Sequence, residues 1–270
     1  MDVSAKKQTA SDLPPAAAEA VESAQREKDE FLSLVAHELK TPLTPLKTVA
    51  QLIRMRVRRA RDGSRELDVE SLDKNAAMIE RQVDRMDRLV TDLLEVSRAA
   101  QGRFVLRAAP FDVAAVARDV VRRWSEASEE TEDRHHLEID APATLPLVGD
   151  QERVRQLIGS LIGNAIKFSP SGGLVDVRVA GDDGVVTVSV RDAGIGIAPE
   201  EIPAIGREPF ATRERTKNYA GLGIGLYLAR LVAEGHGGRL RLASAGEDRG
   251  TTATVTLKDM PTEEATATTL

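Results

Sequence analysis

Residues 64–101 read SRELDVESLDKNAAMIERQVDRMDRLVTDLLEVSRAAQ, with Leu72, Ala76, Ile79, Val83, Met86, Val90 and Leu93 at alternating steps of four and three. This period predicts an amphipathic helix of about thirty residues, bounded by Gly63 and Gly102. Upstream, Leu32, Val35, Leu39, Leu46, Val49 and Ile53 keep a similar spacing, which predicts a first helix from Ser23 to Arg61, broken by Arg61-Asp62-Gly63-Ser64. Two long helices joined by a short polar loop form an antiparallel hairpin. Each carries apolar positions beyond the seam that one partner helix can cover, so a second copy is expected to complete a dimeric four-helix bundle. The same periodicity also suits a monomeric coiled-coil spacer.

Working outward, Pro14-Pro15 and the surrounding Ala, Ser and Thr predict a flexible tail over residues 1–23, and a second tail is expected over 261–270. The helical hairpin is assigned to 24–101 and a second domain to 102–260. In that second part short β-branched runs alternate with helical segments, which signals an α+β domain. Strands are expected at Arg103–Arg107, Leu137–Asp140, Leu174–Val179, Val185–Arg191, Arg239–Ser244 and Thr251–Leu257, and helices at Val113–Glu126, Gln151–Lys167 and Leu222–Glu234. Gly181-Asp182-Asp183-Gly184 reads as a tight hairpin turn. The polar stretch from Pro199 to Ala220 has no period, as expected of a lid or linker.

Composition narrows the function classes. The absence of cysteine excludes disulfides, thiolate metal sites and a cysteine nucleophile, and four histidines make an elaborate histidine metal site a poor fit. A net charge of −6 offers no global basic field for nucleic acid. No apolar run reaches the roughly 18 residues of a membrane span and no signal peptide is visible, so a cytoplasmic protein is expected.

His37 lies between the seam residues Val35 and Leu39, and a 100° step per residue turns it outward. An exposed histidine by itself is most often inert surface. Here, however, Glu38 follows directly, Thr41 lies one turn on, and Pro42 and Pro45 interrupt the helix at a cost of about 3 kcal/mol each in an ordinary interior. A neutral imidazole has a free ring nitrogen and can act as a nucleophile, with an adjacent carboxylate holding the proton of the other nitrogen. In the second domain, Asp192-Ala193-Gly194-Ile195-Gly196 ends a strand, and Gly221-Leu222-Gly223-Ile224-Gly225 opens a helix whose free amides can hold phosphate. The helix 151–167 ends in Asn164-Ala165-Ile166-Lys167-Phe168, which groups an amide oxygen for a metal, an ammonium for phosphate and a ring for stacking. Each feature alone also reads as an ordinary turn or a polar helix end. The run Arg54, Arg56, Arg58, Arg59 and Arg61 reads as a solvated helix end or a docking patch for an acidic partner.

Phe31-Leu32-Ser33-Leu34-Val35-Ala36-His37-Glu38-Leu39-Lys40-Thr41-Pro42-Leu43 resembles the phospho-acceptor box of sensor histidine kinases. Asn164–Phe168, Asp192–Ile197, Glu208-Pro209-Phe210 and Gly221–Leu226 are similar to that family's other boxes, in the same order and spacing. The resemblance covers about residues 24–258. It implies an all-α helical hairpin, dimerising as a four-helix bundle, followed by an α+β two-layer sandwich of the gyrase, chaperone and histidine-kinase ATPase type.

The implied activity is that of an ATP-dependent protein-histidine kinase. By this resemblance His37 takes the γ-phosphoryl group of ATP, Glu38 assists the proton transfer, and Thr41 positions water for dephosphorylating a partner, so phosphatase activity is implied as well. Asn164 binds Mg²⁺, Lys167 contacts phosphate, Phe168 lies against adenine, and Asp192 accepts the adenine amino group. Gly194, Gly196, Gly221, Gly223 and Gly225 allow close backbone approach. Apart from the resemblance, Arg213 or Arg215 in the 199–220 stretch is placed to reach the triphosphate, and both also read as part of an unstructured basic loop. The implied partners are a second copy of the chain, the receiver domain of a response regulator and an upstream sensory domain or protein. Two departures stand out: Ser160 occupies a position where the family usually has Asn, and Arg207 replaces an aromatic before Glu208. Ser160 leaves open the alternative of a catalytically weak, nucleotide-binding dimeric scaffold that regulates a partner.

Overall fold

The computed structural model describes residues 15–63, 68–130, 134–210, 219 and 221–261, which divide into two compact units at Leu89 and Val90. The first unit holds α1 (Pro15–Arg61) and most of α2 (Val69–Ala100). α1 begins at Pro15, eight residues before the expected start at Ser23, so 15–23 is helical where a flexible tail was expected. Proline at the first helical position loses no hydrogen bond, because that amide has no partner in the helix. Pro42 and Pro45 also lie inside α1 without ending it. They remove the amides that would have served the carbonyls of Glu38 and Thr41.

The seam read from the sequence splits into two faces. Leu72, Ile79, Met86 and Leu93 are half-buried, whereas Ala76, Val83 and Val90 are exposed in the single chain. Val83 is 51% exposed and Leu94 is 53% exposed, on a helix whose inward face is already occupied. This is the apolar excess that the periodicity predicts for a helix packing against more than one neighbour.

The second unit contains the last turns of α2, then β1 (Ala109–Asp112), α3 (Val113–Glu130), β2 (His135–Asp140), β3 (Pro146–Gly149), α4 (Gln151–Lys167), β4 (Gly173–Asp182), β5 (Val185–Arg191), α5 (Gly225–Gly235), β6 (Arg239–Ala243) and β7 (Thr252–Lys258). Five strands form a mixed sheet in the order β2-β4-β5-β7-β6, in which β2 and β4 are parallel and the other neighbours antiparallel. β1 and β3 form a separate antiparallel pair. Val175, Val177 and Val179 of β4, Val186, Val188 and Val190 of β5, and Val255 and Leu257 of β7 are buried at the two-residue period of a strand. They pack against Val113, Val116 and Val120 of α3, Val154, Leu157, Ile158, Leu161 and Ile162 of α4, and Ala229 and Val232 of α5. The other face carries the cross-strand row Arg178, Ser189, Thr254 and Arg241. One helical layer on one sheet is the two-layer sandwich expected.

The turn between β4 and β5 follows from its sequence: Asp183 and Gly184 both have positive φ, at 48° and 72°, which makes a two-residue hairpin loop. The expected strand at Arg103–Arg107 does not form. Its amides are taken elsewhere, with Arg103 donating to the Arg98 carbonyl at 2.8 Å and Arg107 to Asp150 Oδ2 at 2.9 Å, so no ladder is available. β1 instead lies at Ala109–Asp112, and β3 was not anticipated because Pro146-Leu147-Val148-Gly149 is too short for a visible alternation.

Candidate functional site

His37 is exposed on α1, as its place between two seam residues predicts. Thr41, one turn on, is also exposed, and its hydroxyl donates to the His37 carbonyl at 3.0 Å. Thr44 and Thr48 repeat this bond to Lys40 and Thr44 at 3.2 and 3.1 Å. Glu38 points the other way. It is 5% exposed, its Oε2 lies 3.9 Å from Arg85 Nη2 on α2, and that oxygen accepts no hydrogen bond. Arg85 was not singled out in the sequence, where its position between Asp84 and Met86 reads as surface.

In the second unit three separate stretches converge on the C-terminal end of α4. The Phe168 amide caps the helix by donating to the Asn164 carbonyl at 2.9 Å, and the Phe168 carbonyl in turn accepts from the Ile195 amide at 3.0 Å. A Cβ on Gly194 would stand 2.2 Å from that carbonyl oxygen, so only glycine lets the strand end cross here. The Gly221–Gly225 stretch arrives from the other side. A Cβ on Gly221 would stand 3.0 Å from Lys167 Nζ, and one on Gly225 would stand 2.5 Å from Ser160 Oγ and 3.9 Å from Asn164 Nδ2. The glycines therefore bring the start of α5 against the face of α4 that carries Ser160, Asn164 and Lys167.

Asp192 lies at the end of β5. Its Oδ1 accepts from the amides of Gly194 at 2.8 Å and Thr251 at 3.0 Å, which leaves Oδ2 without a bond from a described residue. Burial raises its pKa above the usual carboxylate value, and the two amide donors work against that rise. A half-buried carboxylate oxygen held in fixed orientation, with no donor among the described residues, can accept a hydrogen bond from a bound base. Phe168 supplies a ring nearby: Lys167 Nζ lies 4.5 Å from its centroid, and the Tyr219 ring packs at 5.3 Å with a 52° tilt.

The structure thus brings Asn164, Lys167, Phe168, Asp192, Gly194, Gly221 and Gly225 into one neighbourhood. Gly196, with φ of 62°, lies just beyond it and packs against Gly246, where a Cβ would stand 2.1 Å from the carbonyl oxygen. Gly223 also has positive φ, at 70°. Arg213 and Arg215 lie outside the described residues. Thr251 and Tyr219 were missed. Gly250-Thr251 carried a signal, because Gly250 at φ 71° is where a Cβ would strike the Asp192 carbonyl at 2.1 Å. The lone Tyr219 in a polar loop carried none.

The matching family models are the His Kinase A (phospho-acceptor) domain over residues 27–102 and the histidine kinase-, DNA gyrase B- and HSP90-like ATPase over residues 149–261. An uncharacterized sensor-like histidine kinase of Rhizobium meliloti is 32% identical over 238 residues, and the histidine protein kinase DivJ of Caulobacter vibrioides is 30% identical over 230. These alignments take in 87% and 84% of this chain but 44% and 36% of the relatives, so the chain spans less than half the length of either. Among solved structures, the Acinetobacter baumannii histidine kinase AdeS superposes with a TM-score of 0.56 at 23% identity, over 83% of this chain and 98% of that one, and shows the fold. Full-length ShkA in complex with AMPPNP gives 0.56 at 25% identity, over 87% of this chain and 47% of that one.

Proposed function

We propose that this chain, which belongs to the sensor histidine kinase family, transfers the γ-phosphoryl group of ATP to His37 and from there to an aspartate on a response-regulator receiver domain. The observation that carries this reading is the pairing, in one chain, of an exposed imidazole on a helix with a glycine-lined helix end beside Asp192, whose Oδ2 takes no hydrogen bond from a described residue. The AMPPNP bound to the similar ShkA chain supports a nucleotide in that pocket.

In this reading Asp192 Oδ2 accepts the adenine amino group, Phe168 lies against the base, and Lys167 with the α5 amides meets the phosphates. Among the described residues no cluster of three acidic or histidine side chains could hold a metal alone. A Mg²⁺ ion suits the residues present only if the Asn164 amide oxygen shares it with phosphate oxygens, where it would neutralise their charge. An imidazole nitrogen of His37 attacks the γ-phosphorus, the P–O bond to the β-phosphate breaks, ADP departs, and an N–P bond forms. The proton on the other nitrogen passes to Glu38, whose carboxylate must first swing away from Arg85. The receiver aspartate then attacks phosphorus, the N–P bond breaks and the imidazole is restored. Thr41, exposed beside His37, is suited to orient water against the phosphorylated partner. The exposed Val83, Val90 and Leu94 support assembly with a second copy.

The test is a two-stage transfer. The chain is incubated with γ-labelled ATP and Mg²⁺, and a purified receiver domain is then added. Label that moves to the receiver in a base-labile form supports the proposal, and label that never leaves the chain contradicts the second step. The rival reading, a weakly catalytic scaffold, draws on Ser160, whose hydroxyl fills the space beside Gly225 where the family usually offers an amide. It predicts nucleotide binding without stoichiometric labelling.

A further inference from the structure

Glu95 is a carboxylate only 4% exposed, near the end of α2. Both its oxygens are satisfied by cations: Oε1 by Arg98 at 3.0 Å on the same helix, and Oε2 by Arg153 at 2.8 Å on the first turn of α4. Arg153 has further contacts. Its Nη1 donates to Gln156 Oε1 at 3.1 Å, its guanidinium lies 5.4 Å from the Phe104 ring centroid, and its side chain is 20% exposed. Gln156 returns to α2 through Asp92 Oδ1 at 3.1 Å. Two turns of α2 are therefore stitched to two turns of α4 by the largely buried Glu95–Arg153 pair and the Gln156–Asp92 hydrogen bond, and truncating one partner of the pair leaves the other uncompensated.

The chain between these helices is pinned as well. α2 ends in a Schellman turn, with Arg103 donating to the Arg98 carbonyl, Gly102 to that of Ala99, and Gly102 at φ 66°. Phe104 is held beneath Arg153, and the Arg107 amide by Asp150, the cap of α4. These contacts hold segment 101–108 at Arg103, Phe104 and Arg107. Among the described residues none of α2 belongs to the core that the sheet shares with α3, α4 and α5, so this polar stitch, and not that core, ties the end of α2 to α4.

We propose that Glu95 and Arg153 form a latch across this segment which slows phosphoryl transfer to His37 until the pair is broken. The inference rests on the kinase reading, because phosphorus held at the end of α4 reaches His37 on α1 only if segment 101–108, which joins α2 to the part of the chain that holds the nucleotide, can yield. The latch lies eleven residues, or about 16 Å along α4, from Asn164, so opening it leaves the nucleotide pocket itself untouched.

The test uses the full chain. Glu95→Gln and Arg153→Met are compared with the parent protein for acid-labile labelling at saturating ATP, for affinity toward a fluorescent ATP analogue, and for tryptic cleavage after Arg103 and Arg107. Labelling should rise three- to tenfold and cleavage should rise with it, while analogue affinity stays within twofold. Charge exchange, Glu95→Arg with Arg153→Glu and with Arg98→Gln to remove the like charge one turn from position 95, should bring both rates back toward the parent values, and it serves if a single variant folds poorly. Unchanged or slower labelling in folded, nucleotide-binding variants overturns the latch, as does cleavage that does not rise. If the parent protein takes no label, the kinase reading has failed, and unchanged cleavage would then reject the latch separately.

Discussion

Oε2 of the buried Glu38 carboxylate stands 3.9 Å from Arg85 Nη2 across the helical hairpin and takes no hydrogen bond from a described residue. A buried carboxyl oxygen that takes no hydrogen bond from a described residue is costly to keep there, so the arrangement holds Glu38 in a place it can leave cheaply. Glu38→Gln should alter hairpin stability by less than about 1 kcal/mol, because a neutral amide costs less to bury, yet slow labelling of His37 by about 100-fold as the proton acceptor is lost. Thermal unfolding and initial labelling rates measure the two effects. A labelling rate equal to that of the parent would remove Glu38 from the proton transfer.

Burial raises the Asp192 pKa above the usual carboxylate value, so the folded chain holds a proton there to higher pH than the unfolded chain does, and the stability this contributes is lost as pH rises through the folded value. A base that donates to Oδ2 needs the ionised form. Affinity for a fluorescent ATP analogue should therefore fall as pH drops from neutral into the raised range, with proton uptake by the free site. Asp192→Asn should bind weakly at every pH and lose this dependence. A parallel decline in the variant would place the titration elsewhere.

Gly194 and Gly184 make a contrasting pair. A Cβ at Gly194 meets the backbone oxygen of Phe168 at 2.2 Å, which no rotamer change relieves, whereas at Gly184 it meets nothing and only the positive φ is at stake. Gly194→Ala should cost about 1–3 kcal/mol and at least tenfold in nucleotide affinity. Gly184→Ala should cost about 1 kcal/mol and leave affinity alone. Chemical denaturation with a nucleotide titration separates them.

Thr41 donates from an exposed position to the carbonyl of His37, so its removal costs little structurally. Thr41→Ala should change stability by less than about 0.5 kcal/mol, spare autophosphorylation, and slow dephosphorylation of a labelled receiver. Equal loss of both activities would deny Thr41 a separate role.

Much of this was legible in the sequence because it depends on local rules. The steps of four and three from Leu72 to Leu93 predicted α2, the valine alternation in 174–190 predicted β4 and β5, and Asp183-Gly184 predicted their turn. The site was legible where glycines and chemically distinctive side chains cluster. What escaped depends on tertiary contact: Arg103–Arg107 alternates like a strand, but its amides are claimed by Arg98 and Asp150. Arg85 and Arg153 look like surface charges until their carboxylates are placed opposite them. Pro14-Pro15 misled, since Pro15 starts α1, whereas Pro42 and Pro45 lie within it as the reading of Ser23–Arg61 as one helix had them.

The most direct measurement is the position of the phosphoryl group after incubation with γ-labelled ATP and Mg²⁺. The account predicts acid-labile label on a peptide containing His37, absent from His37→Gln although that variant still binds the ATP analogue. Label that persists in His37→Gln, or sits on a serine or threonine in an acid-stable form, would contradict it.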